Sequence, residues 1–212
     1  MSAGWSLVVP VKVLGQAKSR LAAVAGPYRE RLALAVAADT VAAALRCPRI
    51  RQVIVVTDDS LAARELTDLG AQVVADEPNA GLNPALRHGA GLATAPGGIG
   101  AMSADLPALR PEELARVLDA ATTTQQAFVT DAAQTGSTLY TAGPNADFSP
   151  SFGDHSRDRH LTVGARELLL DGIDSVRRDV DTAEDLLDAL RLKAGPRTTD
   201  VAQHLDLPQP RR

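Results

Sequence analysis

Apolar residues in this chain fall into short continuous runs that alternate with longer, periodically apolar stretches. Ser6 to Val11 is a β-branched run, SLVVPV, followed by a polar loop carrying Lys12, Gly15, Lys18 and Arg20 and then an Ala-rich helical stretch from about Tyr28 to Arg46. Arg51 to Thr57 is a second apolar run that stops at Asp58 and Asp59, and Leu61 to Leu69 reads as the helix it feeds, closed by Gly70. Ala71 to Ala75 predicts a third strand and Leu82 to Ala93 the next helix. Ile99 to Ala104 is a weaker fourth strand ending in Asp105-Leu106-Pro107, and Pro111 to Ala121 opens with an early Pro and two Glu, as helices do. Strands and helices alternating at these lengths predict an α/β fold, a mainly parallel Rossmann-like sheet flanked by helices and joined by right-handed crossovers.

The rhythm changes after Ala127. Two short strand patterns, Ala127 to Asp131 and Ser137 to Thr141, flank Gln134-Thr135-Gly136 and predict a small antiparallel insertion, after which a loop runs to Gly153. A helix near Ser156 to Leu170, a strand at Val176 to Val180 and a helix from Thr182 to Leu190 complete one domain, residues 1–193. Residues 194–212 are polar with three prolines, and a loosely held tail is expected there.

Hydrophobic residues make up 45% of the chain but aromatics only 3%, so the core must be built from Ala, Val and Leu. The net charge of −4, with no Lys/Arg run longer than a pair, speaks against nucleic acid as a partner. A single cysteine, Cys47, rules out an intrachain disulfide or a thiolate zinc cluster. Met1 to Ser6 has no basic n-region, and the apolar stretch Leu32 to Leu45 is broken by Asp39 and Thr40 and too short to span a bilayer, so no membrane association and a cytoplasmic location are expected.

In open α/β sheets ligands collect beyond the carboxyl ends of the strands. The first predicted strand delivers Lys12, Lys18 and Arg20 there, the second Asp58 and Asp59, the fourth Asp105 and the last Asp179 and Asp181. Cations for phosphate oxygens, facing one or two carboxylates for a hard octahedral ion, are what a nucleoside triphosphate held by Mg²⁺ requires. Each has a structural alternative: the basic residues could solvate a loop, Asp58 or Asp59 could cap the next helix, and Asp105 before Leu-Pro could be turn chemistry. Asp181 with Glu184 three residues on has a capping-box pattern, which leaves Asp179 as the preferred ligand from that segment and Asp181 open between cap and ligand. His88, His155, His160 and His204 are not spaced as a metal site, and no nucleophile elbow, P-loop or dinucleotide glycine motif is present.

Six segments together carry a family resemblance: Val9-Pro10-Val11-Lys12 with Ala17-Lys18-Ser19-Arg20-Leu21; Leu82-Asn83-Pro84-Ala85-Leu86; Asp105-Leu106-Pro107-Ala108-Leu109; Thr135-Gly136-Ser137-Thr138; Phe152-Gly153 with Ser156; and Asp179-Val180-Asp181-Thr182 before Glu184-Asp185-Leu186. In their order and spacing, which span nearly the whole domain, the chain resembles the guanylyltransferases of deazaflavin coenzyme F(420) biosynthesis. The resemblance implies a GT-A-like nucleotidyltransferase fold and transfer of GMP from GTP to phosphoenolpyruvate, with 2-phospho-L-lactate or 3-phosphoglycerate as alternative acceptors. It also implies GTP on the first-loop side, two Mg²⁺ held by Asp105 and Asp179, and the phospho-acid gripped at Thr138, Gly153 and Ser156. With it, Lys18 and Asp105 are the expected catalytic residues and Lys12, Lys18, Arg20 and Asn83 the nucleotide candidates, although an Asn before Pro84 is also a normal helix start; Asp181 stays open as a further metal ligand. A downstream deazaflavin transferase would take the product. Two departures stand out: Ala104 precedes Asp105 where the family usually has Gly, and His155 stands where an Asp is common.

Because the acceptor's phosphate is already anionic near neutral pH, attack on the α-phosphorus of GTP needs no general base, which fits the lack of a candidate catalytic histidine. A molybdopterin or sugar-phosphate nucleotidyltransferase would share this metal logic but predicts a Gly-rich first loop, which Val13 to Leu21 largely lacks. A receiver-like binding module using Asp58 would leave Asp105, Thr138 and Asp179 without a purpose.

Overall fold

The computed structural model describes residues 4–77 and 79–208. Four strands pair in parallel, β1 (Trp5–Pro10) with β2 (Ile50–Val56) and β4 (Ile99–Met102), and β2 with β3 (Gln72–Val74). The insertion supplies β5 (Gln126–Thr130) and β6 (Ser137–Ala142), which are antiparallel to each other, and β6 also runs antiparallel to β4. A short β7 (Arg166–Glu167) pairs in parallel with β5, giving a seven-stranded sheet in the order β3-β2-β1-β4-β6-β5-β7. The helices are α1 (Ala22–Ala25), α2 (Arg29–Leu45), α3 (Ser60–Asp68), α4 (Leu82–Ala90), α5 (Pro111–Ala121), α6 (Ser156–Thr162), α7 (Asp174–Arg177), α8 (Ala183–Arg191) and α9 (Pro196–Ala202).

Alternate side chains of each strand enter two different layers. Leu7, Val9, Val53 and Val55 pack with Val41 of α2, Leu66 of α3 and Leu114 of α5 on one face, while Val8, Val56 and Ala101 pack with Leu86 of α4 on the other. The alanines of α2 that face the sheet, among them Ala37 and Ala44, let a long helix lie close on it, as the aromatic-poor composition requires. Gly89 does the same for α4: a Cβ there would lie 2.7 Å from Val8 and 2.8 Å from Val56.

Three expectations are corrected. Ser156 to Leu170 is not one helix: α6 ends at Thr162, Gly164 turns the chain at φ +84°, and β7 follows. Val176 to Val180 is not a strand, because the edge of β4 that it would use is taken by β6. The segment is instead the end of α7 and an extended stretch tied to β4's loop by Val180 N–H donating to the Asp105 carbonyl at 3.0 Å. The tail is not loosely held over 194–208, since Pro196 starts α9, Val201 is buried, and Asp39 of α2 accepts from Thr198 N at 2.7 Å. Gly195 N also donates to Pro107 O at 2.8 Å, so packing continues past residue 193; residues 209–212 lie outside the described ones.

Candidate active site

The loop after β1 is shaped by groups at its edges. Asp59 caps α3 by accepting from Leu61 N and Ala62 N, both at 3.0 Å, and also accepts from Leu14 N at 2.9 Å. Burial opposes its charge, but the three N–H donors hold its carboxyl below the usual range. Of the two acids at the end of β2, then, Asp59 is the cap, and Asp58 accepts from Asp76 N at 3.0 Å; both are used in structure, which leaves a receiver-like role for Asp58 unsupported. Arg29 at the start of α2 gathers the loop from the other side through the carbonyls of Ala17 and, at 2.9 Å, Gly15. Sequence reasoning passed over Arg29, whose only signal is a cation in the first turn of the helix after the loop.

Held this way, the loop drives Lys18 inward from a left-handed backbone (φ 54°). Its ammonium donates to Asp105 Oδ2 at 2.7 Å and to the Val180 carbonyl, and lies 3.4 Å from Asp181 Oδ1. Burial alone would lower its pKa, but Asp105 and then Asp181 outweigh that and leave it raised. Arg20 reaches Asp181 Oδ2 at 3.7 Å from an exposed position, and Lys12 is exposed.

Asp181 is free for this role because the cap of α8 is made elsewhere. Thr182 is the N-cap and Asp185 closes the capping box, so the expected Asp181/Glu184 pairing is corrected. Asp179 is pushed up to about 7, first by burial and then by the charges of Asp105, Asp181 and Asp131. Asp105 Oδ1 is buried without a hydrogen-bond partner. A buried orphan oxygen beside a carboxylate that resists ionising is a donor set short of positive charge, which suits a hard divalent cation. Among the described residues no three His, Cys, Asp or Glu side chains close into a cage; a Mg²⁺ site of the nucleotide type needs only one or two carboxylates, the phosphates completing it.

The opposite wall is built by the insertion. Val129 pairs with Leu139 but Thr130 with Ser137, so Thr138 is the extra residue of a bulge, a device that re-aims side chains at strand ends. Thr138 Oγ1 donates to the Val176 carbonyl at 2.6 Å, so its hydroxyl braces α7 from this bulge. Asp131 accepts from Thr135 N at 3.0 Å and Gly136 N at 2.7 Å, shaping the β5–β6 turn, and its negative charge adds to those that disfavour ionisation of Asp179. Gly153 has φ +116°, and a Cβ there would lie 3.3 Å from Arg159 Nη2. Arg159, which also donates to the Asp154 carbonyl, is a cation over this loop that the sequence reading missed; its one signal is its place one turn after Ser156 on α6. His155 is exposed, at φ 53° before α6.

Asn83 spends one donor and one acceptor within the fold. Its Nδ2 donates to Phe152 O at 3.0 Å and its Oδ1 accepts from Phe152 N at 2.8 Å, which occupies both ends of the amide and pins the Phe152-Gly153 loop to α4. Ser156 is buried at the first turn of α6, its N donating to Gly153 O at 3.0 Å and its Oγ 2.8 Å from Ser137 Oγ.

Residues 5–207 match the family described as guanylyl transferase CofC like. A protein of Thermomonospora curvata named phosphoenolpyruvate guanylyltransferase is 61% identical over 204 residues, covering 95% of this chain and 90% of its own length. Among solved structures, a nucleotidyl transferase from Methanothermobacter thermautotroptrophicus superposes with a TM-score of 0.63 at 19% identity over 89% of this chain and 98% of that one, a likeness of fold. Rv0371c of Mycobacterium tuberculosis, solved with manganese, superposes with a TM-score of 0.57 at 25% identity over 90% of this chain and 100% of that one. Among the described residues no helix is long and apolar enough to cross a membrane.

Proposed function

The chain belongs to the CofC-like guanylyl transferase family, and on that premise we propose that it transfers GMP from GTP to phosphoenolpyruvate in coenzyme F(420) biosynthesis, releasing pyrophosphate. The observation that carries this reading is the meeting of Lys18, Asp105, Asp179 and Asp181 at the carboxyl ends of the sheet, a cluster of carboxylates around one lysine. Phosphoenolpyruvate is taken from the names of the relatives, and Ser156 and Arg159 supply donors that suit a small polyanion.

Asp105 and Asp179, with Asp181 beside them, would hold Mg²⁺, which when bound supplies positive charge to the phosphate oxygens of the nucleotide. Lys18 keeps the acid group charge-balanced and in place, and with Arg20 and Lys12 lines the entry of the triphosphate. Gly153 leaves room for an anion beside Arg159, and Ser156 offers a hydroxyl. Held there, a phosphate oxygen of the acid attacks the α-phosphorus in line. The new P–O bond forms as the bond to the β-phosphate oxygen breaks, and the electron pair leaves with pyrophosphate. No proton moves, so no base is required. What the protein supplies is alignment of two polyanions that would otherwise repel.

The test is pyrophosphate release with Mg²⁺, GTP and, in parallel, phosphoenolpyruvate, 2-phospho-L-lactate and 3-phosphoglycerate, with a deazaflavin acceptor and its transferase in a second series to draw off unstable product. Release that depends on phosphoenolpyruvate and falls at least tenfold with CTP supports the reading; preference for another acid moves the substrate, and silence with all three rejects the reading. Asn83→Ala should raise KM for the acid about tenfold, because an unpinned Phe152-Gly153 loop loses two hydrogen bonds of about 1 kcal/mol each. KM for GTP should change less than twofold, a split measured by steady-state kinetics.

A further inference from the structure

His160 takes no part in the reaction just described, yet it is wholly buried and every polar atom of its ring is engaged. It is enclosed by rings: Tyr140 stacks on it at 4.9 Å, and Phe128 and Phe152 lie at 5.3 Å and 5.4 Å between centroids. An apolar side chain would fill such a pocket at less cost than an imidazole. The polar contacts therefore call for a reason.

Those contacts fix the direction of each hydrogen. Ser151 N–H points at His160 Nε2, 3.0 Å away, and a backbone amide can only donate, so Nε2 carries no proton. The ring is then neutral with its hydrogen on Nδ1, which donates to Ser137 Oγ at 3.1 Å. Ser137 Oγ has one other partner among the described residues, Ser156 Oγ at 2.8 Å, and a hydroxyl that accepts from the ring N–H is polarised into the better donor, so Ser137 donates to Ser156. Ser156 has received a hydrogen bond and still holds its own hydrogen, for which no protein acceptor is present among the described residues.

We propose that His160 and Ser137 are positioning residues, a hydrogen-bond relay that forces the Ser156 hydroxyl to present its hydrogen to the anionic group of the phospho-acid. This rests on the reading that Ser156 faces that acid. A serine free to rotate could spend its hydrogen on Ser137 and turn a lone pair toward the anion. The relay removes that choice before substrate arrives, and the unprotonated state is kept by burial and then by the Arg159 charge, which bring the ring down to about 4. At any pH near neutrality the relay runs in one direction only.

The relay is read in the full chain by kinetics and by nitrogen NMR of the imidazole. The ¹⁵N spectrum should show His160 as the Nδ1–H tautomer at pH 7, the less common form in free histidine. Ser137→Ala and His160→Phe should each raise KM for phosphoenolpyruvate about tenfold, the scale of a hydrogen bond to a charged group, with KM for GTP unchanged. The double variant should be no worse than either single one, since both break the same chain. His160→Asn, whose amide nitrogen falls where Nδ1 was, should recover most of the loss. An Nε2–H tautomer, additive effects, or equal rises in both KM values would overturn the relay, and if His160→Phe fails to fold, Ser137→Ala still decides. Ser156→Ala separates the two levels: a tenfold rise there with no effect of Ser137→Ala sinks the relay alone. No rise in Ser156→Ala sinks the assignment of Ser156 to the acid and the relay with it.

Discussion

Asp105→Asn is expected to reduce kcat by about a thousandfold or more while the protein stays folded, the scale on which active sites lose a principal electrostatic group. The substitution keeps shape and removes one negative charge. It does so where Lys18 Nζ sits 2.7 Å from Oδ2 and where Oδ1 is buried without a partner, so both the lysine's anchor and the orphaned oxygen are lost as charge carriers. The backbone carbonyl of Asp105, which ties down Val180, is untouched, and so is the buried Leu106 beside it. Turnover measured at saturating GTP and phosphoenolpyruvate, with a thermal melt alongside, checks this. A variant with a normal melt and more than a tenth of wild-type turnover would remove Asp105 from the chemistry.

Asp179→Asn should separate activity from stability. Turnover should fall about a hundredfold or more, because a carboxylate of the proposed cation site becomes an amide. Stability should rise. The folded carboxyl sits at about 7 against an ordinary 3.8, so between these values the folded state binds more protons than the unfolded one, and stability is lost as pH rises through the window. Above pH 7 the cost is complete, on the order of 4 kcal/mol, and asparagine never incurs it. In metal-free buffer the variant should therefore melt higher than wild type at pH 8, with the gap shrinking on acidification and closing near pH 4. A variant that melts lower than wild type at pH 8 would contradict the burial and repulsion assigned to Asp179. His160 runs the other way. Its folded value is depressed from 6.5 to about 4, so stability present above 6.5 is lost as pH falls through that window. In wild type the two titrations oppose each other, and removing Asp179 should expose the acid sensitivity of His160.

The parallel half of the fold was legible because each strand contains an uninterrupted apolar stretch with polar residues close by on either side. Ile50–Val56 and Trp5–Pro10 follow that pattern to within a residue or so. What could not be read were features set by competition for partners. The stretch at Val176 to Val180 has strand composition, and only the pairing of β6 with β4 denies it a place. Thr182 rather than Asp181 caps α8 because Asp181 is drawn by Lys18 and Arg20, groups distant in sequence. Lys18, Asp105, Asp179 and Asp181 were found from their positions after strands or their match to family motifs, and they do converge. Asn83 and Thr138 match family motifs too, but their polar atoms are engaged by Phe152 and Val176, contacts across 69 and 38 residues that no local pattern announces. Asp131, Arg159 and the Ser137–His160 pair were missed for the same reason: each matters through what it touches.

In the proposed reaction the α-phosphate of GTP is handed to the phosphate of a three-carbon acid. Incubation with GTP labelled with ³²P at the α position, Mg²⁺ and phosphoenolpyruvate tests it directly. Label is expected in a new acid-containing species, or in the deazaflavin product when the downstream transferase is present, with unlabelled pyrophosphate formed in equal amount. Label that remains in GTP, or appears only as GDP or GMP regardless of the acid, would contradict it.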